Sequence, residues 1–168
     1  MTNPTRIFRR VFLVAIGALL MGCGETPSRP AGAATVLRVV DGDTVVVNIG
    51  GAEENVRLIG VDTPETVDPR RPVGCFGKEA GDHTKSLLAE GTEVRLERDV
   101  EQRDRYGRLL AYVYRSSDGL FVNDALLRDG YGQLLTIPPN VAHVERFTAS
   151  QRAAREAGAG LWSACPHE

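Results

Sequence analysis

The chain has 168 residues, of which 42% are hydrophobic and 25% charged, and its formal net charge is −2 at pH 7. This length leaves room for one domain with a targeting segment and excludes two domains. The composition is ordinary for a folded soluble protein. The slightly acidic balance argues against nucleic-acid binding through global charge, since phosphate affinity comes mostly from Lys and Arg.

The first 22 residues differ from the rest of the chain. A start with three arginines is followed by an apolar run of 11 residues, VFLVAIGALLM, which is typical of a secretory signal and is short for a membrane span. The run leads into Cys23, as in a bacterial lipoprotein signal. We therefore expect residues 1–22 to be removed and Cys23 to be lipidated, which would hold an exported protein at the outer face of a membrane. A signal peptide cut elsewhere and an uncleaved anchor are the alternatives.

Residues 23–34 predict a flexible tether, because they are rich in Gly, Pro, Ser and Ala. The folded domain is expected to occupy residues 35–168. Loss of residues 1–22 would leave 17 basic and 22 acidic side chains. An enzyme that acts on nucleic acid would then need a local basic cluster.

The domain sequence alternates between strand and helix patterns. Five β-branched or alternating segments predict strands, at residues 35–40, 44–49, 54–61, 92–96 and 109–114. Helical spacing predicts three helices, at residues 78–88, 122–128 and about 140–157. Residues 62–77 contain several prolines and glycines and predict a loop. This order indicates an α+β fold compatible with a five-stranded barrel.

Two acidic motifs follow predicted strands, DGDT at residues 41–44 and DTPE at residues 62–65. Each alone could be only a turn or a self-capping loop. Together they bring hard oxygen ligands from Asp43 and Asp62, a carbonyl from Thr63, and the nearby Glu65. Oxygen donors without His or Cys favour calcium or magnesium over zinc.

Two arginines add a second kind of chemistry. Arg57 lies within a predicted strand, and Arg108 directly precedes one. Two guanidinium groups suit the clamping of one phosphate. A metal ion, a carboxylate and two arginines are the groups needed to split a phosphodiester.

The ordered set of motifs resembles the staphylococcal nuclease family over residues 34–163. The resemblance rests on DGDT, RLIGVDTPE, FGKEA, DRYGRLLAYVY, VNDALLRDG and the terminal GLWS. It implies a five-stranded OB-fold barrel with three α-helices. It also implies calcium-dependent hydrolysis of DNA and RNA at the P–O5′ bond, with little sugar specificity and with 3′-phosphate ends as products.

The resemblance also implies a role for individual residues. Asp43, Asp62 and the Thr63 carbonyl would bind calcium, with Asp41 as an acid beside the metal. Glu65 would orient or deprotonate the attacking water. The substrate phosphates would be held by Arg57, Arg108 and Tyr106.

The chain departs from the family after its second predicted helix. The best-known member has tyrosines there that stack on a base, whereas residues 131–139 read YGQLLTIPP. A local cationic surface could come from Arg70, Arg71, Arg103, Arg105 and Arg108; scattered, solvated charges are the alternative. We expect a monomer that prefers single-stranded DNA and RNA.

Two cysteines remain beyond Cys23. In an exported domain Cys75 and Cys165 suggest one disulfide, with a metal pair or two free thiols as alternatives. For the whole protein, the alternatives to an enzyme are a catalytically inactive barrel that binds nucleic acid or protein, and a mainly structural envelope protein.

Overall fold

The strands and helices follow the sequence pattern closely. The computed structural model describes residues 32–64 and 74–165, so Cys23, Glu65, Arg70 and Arg71 lie outside the described residues. The strands are β1 (Ala33–Asp41), β2 (Thr44–Ile49), β3 (Ala52–Leu58), β4 (Gly60–Asp62), β5 (Glu93–Glu97), β6 (Leu109–Arg115) and β7 (Gln133–Leu135). The helices are α1 (Gly77–Leu87), α2 (Val122–Arg128), α3 (Val144–Glu156) and α4 (Leu161–Ala164).

Five strands close into a barrel in the order β1-β2-β3-β6-β5. All neighbours are antiparallel except β3 and β6, which run parallel with Arg57 opposite Leu110. Alternating apolar side chains fill the interior, among them Val36, Val45 and Val56, which are fully buried. The predicted α+β class and five-stranded OB-type barrel are confirmed, with the three predicted helices and a short fourth one.

The third predicted strand, residues 54–61, is divided in the structure. Strand β3 ends at Leu58, and Gly60 adopts a positive φ of 79°. A Cβ atom at Gly60 would lie 2.5 Å from the Phe147 ring, so a glycine lets the chain turn beneath α3. Beyond this turn β4 leaves the barrel and pairs with β7, a strand that the sequence pattern did not predict.

The third helix begins later than predicted, at Val144 instead of Asn140. The Asn140 side chain is used elsewhere: its Oδ1 accepts the Glu101 N–H at 2.8 Å, and its Nδ2 donates to the Glu101 carbonyl at 2.9 Å. The side chain therefore fastens the segment before β6 to the segment before α3, and is not a helix cap.

The end of the described chain packs on the body of the domain. Leu161 and Trp162 are buried, and Leu161 N–H donates to the Gly130 carbonyl at 2.9 Å. Cys75 and Cys165 are joined by a disulfide, with their Cα atoms 5.9 Å apart. No helix within the described ranges is long and apolar enough to cross a membrane.

Candidate active site

The turn between β1 and β2 carries the first acidic motif. Gly42 is needed there, because a Cβ atom would lie 2.7 Å from the Thr63 side chain. On its other side the Gly42 carbonyl accepts the Thr84 hydroxyl at 2.7 Å, and Thr84 is fully buried in α1. The turn is therefore fixed between the second acidic motif and helix α1.

Asp43 is the most enclosed carboxylate of this corner, with 6% of its surface exposed. Its Oδ2 accepts the Thr63 N–H at 3.0 Å and the Thr63 hydroxyl at 3.3 Å. Its Oδ1 accepts the Thr44 hydroxyl at 2.9 Å. These bonds satisfy a buried charge that would otherwise destabilise the fold.

Arg57 connects the two acidic motifs. Its Nη2 lies 3.0 Å from Asp43 Oδ2 and 3.0 Å from Asp62 Oδ1. Its Nη1 donates to two backbone carbonyls, those of Leu58, at 2.8 Å, and of Val61. Only 13% of the Arg57 side chain is exposed, so the fold and not the solvent determines its position.

The two carboxylates that contact Arg57 suit a hard cation. Asp43 and Asp62 both face one positively charged nitrogen, so their fields converge on one point. Within residues 32–64 and 74–165, no group of three or more His, Cys, Asp or Glu side chains forms a metal cluster. Asp43, Asp62 and Thr63 therefore offer oxygen donors, the type that hard divalent cations such as calcium and magnesium prefer.

Asp41 completes the acidic corner. Its Oδ1 accepts the Asp43 N–H at 3.2 Å. Burial, and then the negative charge of Asp43, raise the pKa of Asp41 to about 6, while Arg57 acts in the opposite direction. The single arginine therefore offsets only part of the negative charge of this corner.

Arg108 occupies a tight turn before β6. Asp104 Oδ1 accepts the N–H groups of Tyr106 and Arg108 at 2.9 and 3.0 Å, and its Oδ2 accepts Arg108 Nε–H at 2.6 Å. These hydrogen bonds lower the pKa of Asp104 although burial acts to raise it. One aspartate therefore orders both the backbone of the turn and the guanidinium group.

Tyr106 projects from this turn, with 68% of its surface exposed. The Arg105 and Arg108 guanidinium carbons lie 4.8 and 5.4 Å from the centre of its ring, and Arg105 Nη2 donates to its hydroxyl at 2.7 Å. The turn therefore presents cationic and hydroxyl groups together to the solvent.

Both arginines line one cavity of about 470 Å³. The parallel register explains this arrangement, because Arg57 pairs with Leu110 and Arg108 precedes Leu110 by two residues. Tyr106 and Arg105 lie at the same cavity, as do Leu135 and Ile137. The structure thus brings together the predicted phosphate-binding residues of the described chain.

One wall of this cavity is formed by the segment after α2, and this wall is aliphatic. Leu135 and Ile137 line it and are 38% and 57% exposed, in the segment in which the sequence lacks the family's tyrosines. Apolar side chains with this exposure leave a surface on which a flat ring could lie.

Arg103 does not extend the cationic surface as expected. Its guanidinium group binds both Glu54 oxygens, at 2.8 and 3.0 Å, and the Gly107 carbonyl. This contact joins the Arg108 turn to the barrel. Arg105 and Arg108 are the members of the predicted cluster that lie at the cavity, while Arg70 and Arg71 lie outside the described residues.

Two residues of this site were missed by the sequence analysis. Asp104 had a local signal, because an aspartate two residues before an exposed tyrosine and four before Arg108 is typical of a side-chain-capped turn. Thr84 had none, since Gly42, the residue it contacts, lies 42 positions away in the sequence.

Comparison with known proteins identifies relatives of this chain. Residues 55–164 match the family model described as staphylococcal nuclease homologue. The chain is 44% identical to a thermonuclease of Staphylococcus hyicus and 43% identical to one of Staphylococcus intermedius, each over 76% of this chain and 74% of the relative. It is 37% identical to endonuclease YncB of Bacillus subtilis, over 77% of this chain and 61% of that protein. The chain belongs to the staphylococcal nuclease family.

Proposed function

We propose that this chain is a calcium-dependent nuclease that hydrolyses phosphodiester bonds in DNA and RNA and leaves 3′-phosphate ends. The enzyme class, a nuclease hydrolase, follows from the family and from relatives named thermonuclease and endonuclease. Dependence on calcium, the lack of sugar specificity and the 3′-phosphate products are more specific than this class, and they are part of the proposal. The observation that carries the proposal is the cavity that Arg57 and Arg108 share beside two converging carboxylates.

The residues that would hold calcium are Asp43, Asp62 and the Thr63 carbonyl. The support is the chemistry of the donors, which are oxygens, and the convergence of both carboxylates on one positive charge. Bound calcium would supply charge stabilisation for the phosphate and a lower pKa for a bound water. Asp41 would act beside it by adding negative charge to the corner.

Arg57 contacts two carboxylates and two backbone carbonyls. It could therefore release the carboxylates and bind a substrate phosphate while the carbonyls hold it in place. With Asp43 and Asp62 engaged by a cation, Arg57 would keep the carbonyls of Leu58 and Val61 as acceptors. Its Nη2 could then donate to a phosphate in the cavity. Cation binding would in this way prepare the guanidinium group for the substrate.

Arg108 and Tyr106 would bind the substrate from the other wall. Arg108 would share the scissile phosphate with Arg57 and stabilise its developing charge, which is the role suited to a planar, permanently charged fork. The Tyr106 hydroxyl would donate to a neighbouring phosphate, and Arg105 beside it would add positive charge.

Three charged residues outside the described ranges complete the proposal. Glu65 follows Pro64 directly and would orient or deprotonate the attacking water. Arg70 and Arg71 would contact the nucleic-acid backbone. Single strands are the proposed preference, because an unpaired base could lie against the exposed apolar side chains of Leu135 and Ile137.

We also propose that the protein works at the cell envelope as a monomer. The support for the location is the sequence of residues 1–34, with its basic start, its apolar run and Cys23. Acyl chains on Cys23 would anchor the domain, and residues 24–34 would allow it to reach substrates near the membrane.

The test is incubation of the full chain with single-stranded DNA and with RNA, in calcium and in chelator. We expect calcium-dependent cleavage of both, with 3′-phosphate ends, and loss of cleavage in Glu65→Ala and Arg57→Ala. Glu79→Ala is the matched control, because Glu79 is an exposed carboxylate on α1 and its loss should leave cleavage unchanged. No cleavage by a folded chain with bound calcium would favour an inactive binding module instead.

A further inference from the structure

The disulfide lies beside the candidate metal-binding residues. A cavity of about 250 Å³ has Asp62, Thr63 and Pro64 in one part of its wall, and Cys75, Leu161 and Cys165 in another. The bridge is thus a neighbour of the second acidic motif, although Cys165 is about a hundred residues away in sequence. This proximity is not needed for a bridge that only stabilises the fold.

The bridge attaches the start of α1 to a fixed part of the domain. Cys165 follows α4, in which Leu161 and Trp162 are buried. The segment that leads into α4 lies close to the turn after α2: a Cβ atom at Gly130 would lie 2.2 Å from the Ala159 carbonyl oxygen. Cys75 is therefore joined to a segment that packing already holds in place.

The residue after Cys75 shows that this junction is constrained. Phe76 adopts a φ of 66°, which is rare for a bulky side chain. Its ring packs with Ala154, Leu161 and Trp162 and lies 5.2 Å from the ring of Tyr131. Such a conformation persists only where its surroundings hold it, and the bridge to Cys165 is one of those contacts.

Helix α1 leads from this junction to the first acidic motif. Its buried Thr84 donates to the Gly42 carbonyl, between Asp41 and Asp43. The second acidic motif shares a cavity wall with Cys75. Movement of Cys75 would therefore displace residues of both acidic motifs.

We propose that the Cys75–Cys165 bridge is a positioning element of the active site, so that its reduction lowers the catalytic rate and the calcium affinity while the barrel stays folded. This inference rests on the proposed function. It makes activity depend on the thiol redox state of the surroundings. The oxidised enzyme would be the active form, as suits an exported protein.

The reduction requires an external dithiol. A thiolate of the dithiol attacks Cys75 Sγ, the S–S bond breaks, and Cys165 leaves as a thiolate that takes up a proton. The second thiol of the reductant then displaces Cys75, so that the protein gains two electrons and two protons and the dithiol becomes a disulfide. Cys75 is exposed, so the reductant can reach the bridge.

The experiment compares the full chain in oxidised form, after dithiothreitol, and as the double variant Cys75→Ser/Cys165→Ser. The measurements are kcat and KM for single-stranded DNA, calcium affinity by calorimetry, and the circular dichroism spectrum, all well below Tm. We expect kcat to fall on the order of tenfold to a hundredfold in both bridge-free forms, as is usual when reacting groups are displaced. Calcium affinity should fall as well, and dithiothreitol should have no further effect on the double variant.

The matched control is Leu96→Ala, which keeps the bridge. Leu96 is buried in β5, away from the cavity that the bridge lines, and its truncation should lower Tm by an amount similar to that caused by loss of the bridge. Equal losses of kcat in this variant, or unchanged kcat and calcium affinity without the bridge, would overturn the inference. If the oxidised chain cleaves no nucleic acid, the proposed function fails, and the calorimetric comparison still tests the bridge.

Discussion

The two arginines of the cavity are held in opposite ways. Arg57 has 13% of its side chain exposed and contacts two carboxylates and two backbone carbonyls. Arg108 has 31% exposed and one carboxylate partner, Asp104, four residues earlier. One guanidinium group belongs to the interior of the fold, and the other belongs to a surface turn. The two arginines have equal proposed roles in catalysis, but we expect their removal to have unequal consequences for stability.

The largest effects are expected from removing each arginine. Arg57→Ala and Arg108→Ala should each lower kcat/KM by roughly 10³- to 10⁵-fold, the scale known for an arginine that stabilises a phosphoryl transition state. Arg57→Ala should also lower the free energy of unfolding by about 3 kcal/mol, because it leaves Asp43 buried without its cation. Arg108→Ala should cost less than about 1 kcal/mol, since its ion pair is more exposed.

Nuclease assays and urea denaturation of both variants measure this contrast. Arg57→Lys serves as control, because it keeps the charge and loses the fork that reaches both carboxylates. Equal losses of stability in the two alanine variants would show that the difference in burial between the two arginines does not change their contributions to the free energy of unfolding.

The next largest effect on activity is expected from the residue that orients the Arg108 guanidinium group. Asp104→Ala removes the partner of the guanidinium group and the cap of the turn, so we expect kcat/KM to fall about 10- to 100-fold through misplacement of Arg108. Asp118→Ala is the matched control. It breaks a similar local pair with Arg115, at 2.6 Å, and neither residue lines the cavity of the two arginines. The same loss of activity in Asp118→Ala would contradict a positioning role for Asp104.

A smaller effect is expected on the Arg57 side from helix α1. Thr84→Val removes the hydroxyl that holds the Gly42 carbonyl and keeps a similar shape, so calcium affinity should fall about tenfold, as for supporting contacts at other metal sites. Thr84→Ser keeps the donor and should restore most of the affinity. Calorimetric titration with calcium distinguishes the two, and equal affinities would exclude this role.

The smallest expected effect is a loss of stability in acid that arises from Asp99, which follows β5 in the chain. Burial acts to raise the pKa of Asp99, but hydrogen bonds from the Ala142 N–H and the Tyr112 hydroxyl outweigh it and leave the pKa lowered. A lowered pKa gives stability that is fully present above about pH 4, the ordinary value for aspartate. It is lost as the pH falls through the lower pKa of the folded state.

Urea denaturation from pH 7 to pH 2 tests this contribution. The free energy of unfolding of the wild-type chain should exceed that of Asp99→Asn by less than about 1 kcal/mol at pH 7, because the contacts of Asp99 are partly exposed, and the difference should shrink in acid. Glu90→Gln, at an exposed position, should match the wild type throughout. A constant difference for Asp99→Asn would contradict the assignment.

Local pattern was enough to predict most elements of the fold, but not the contacts within the site. The strands and helices lie in short stretches whose alternation or helical spacing can be seen directly, whereas closure of the barrel and the roles of the site residues were implied by the family resemblance. The contacts of Arg57 could not be predicted, because Asp43 is brought to it by strand pairing. The break at Gly60 lies against Phe147, and β4 pairs with β7, so both features involve residues more than seventy positions later in the sequence.

The start of α3 shows the same limit of prediction from local sequence pattern. Asn140 has the side chain of a good cap, yet its amide matches the backbone of Glu101 instead. Helix caps are predicted from neighbouring residues in the sequence. Such a prediction cannot include a hydrogen-bond partner that only the tertiary fold brings close. The roles of all the site residues and the lipid on Cys23 stay predictions, and Glu65, Arg70, Arg71 and Cys23 also lie outside the described ranges.

The parallel pairing of β3 with β6 limits where the sequence can change in length. Arg57 lies opposite Leu110, so the spacing from Arg108 to Leu110 determines which face of the sheet Arg108 shares with Arg57. One residue inserted between them would turn Arg108 to the opposite face. The turn after β6, residues 116–119, bears no such restriction. Insertions and deletions among active relatives are therefore expected in that turn, and not between Arg108 and Leu110.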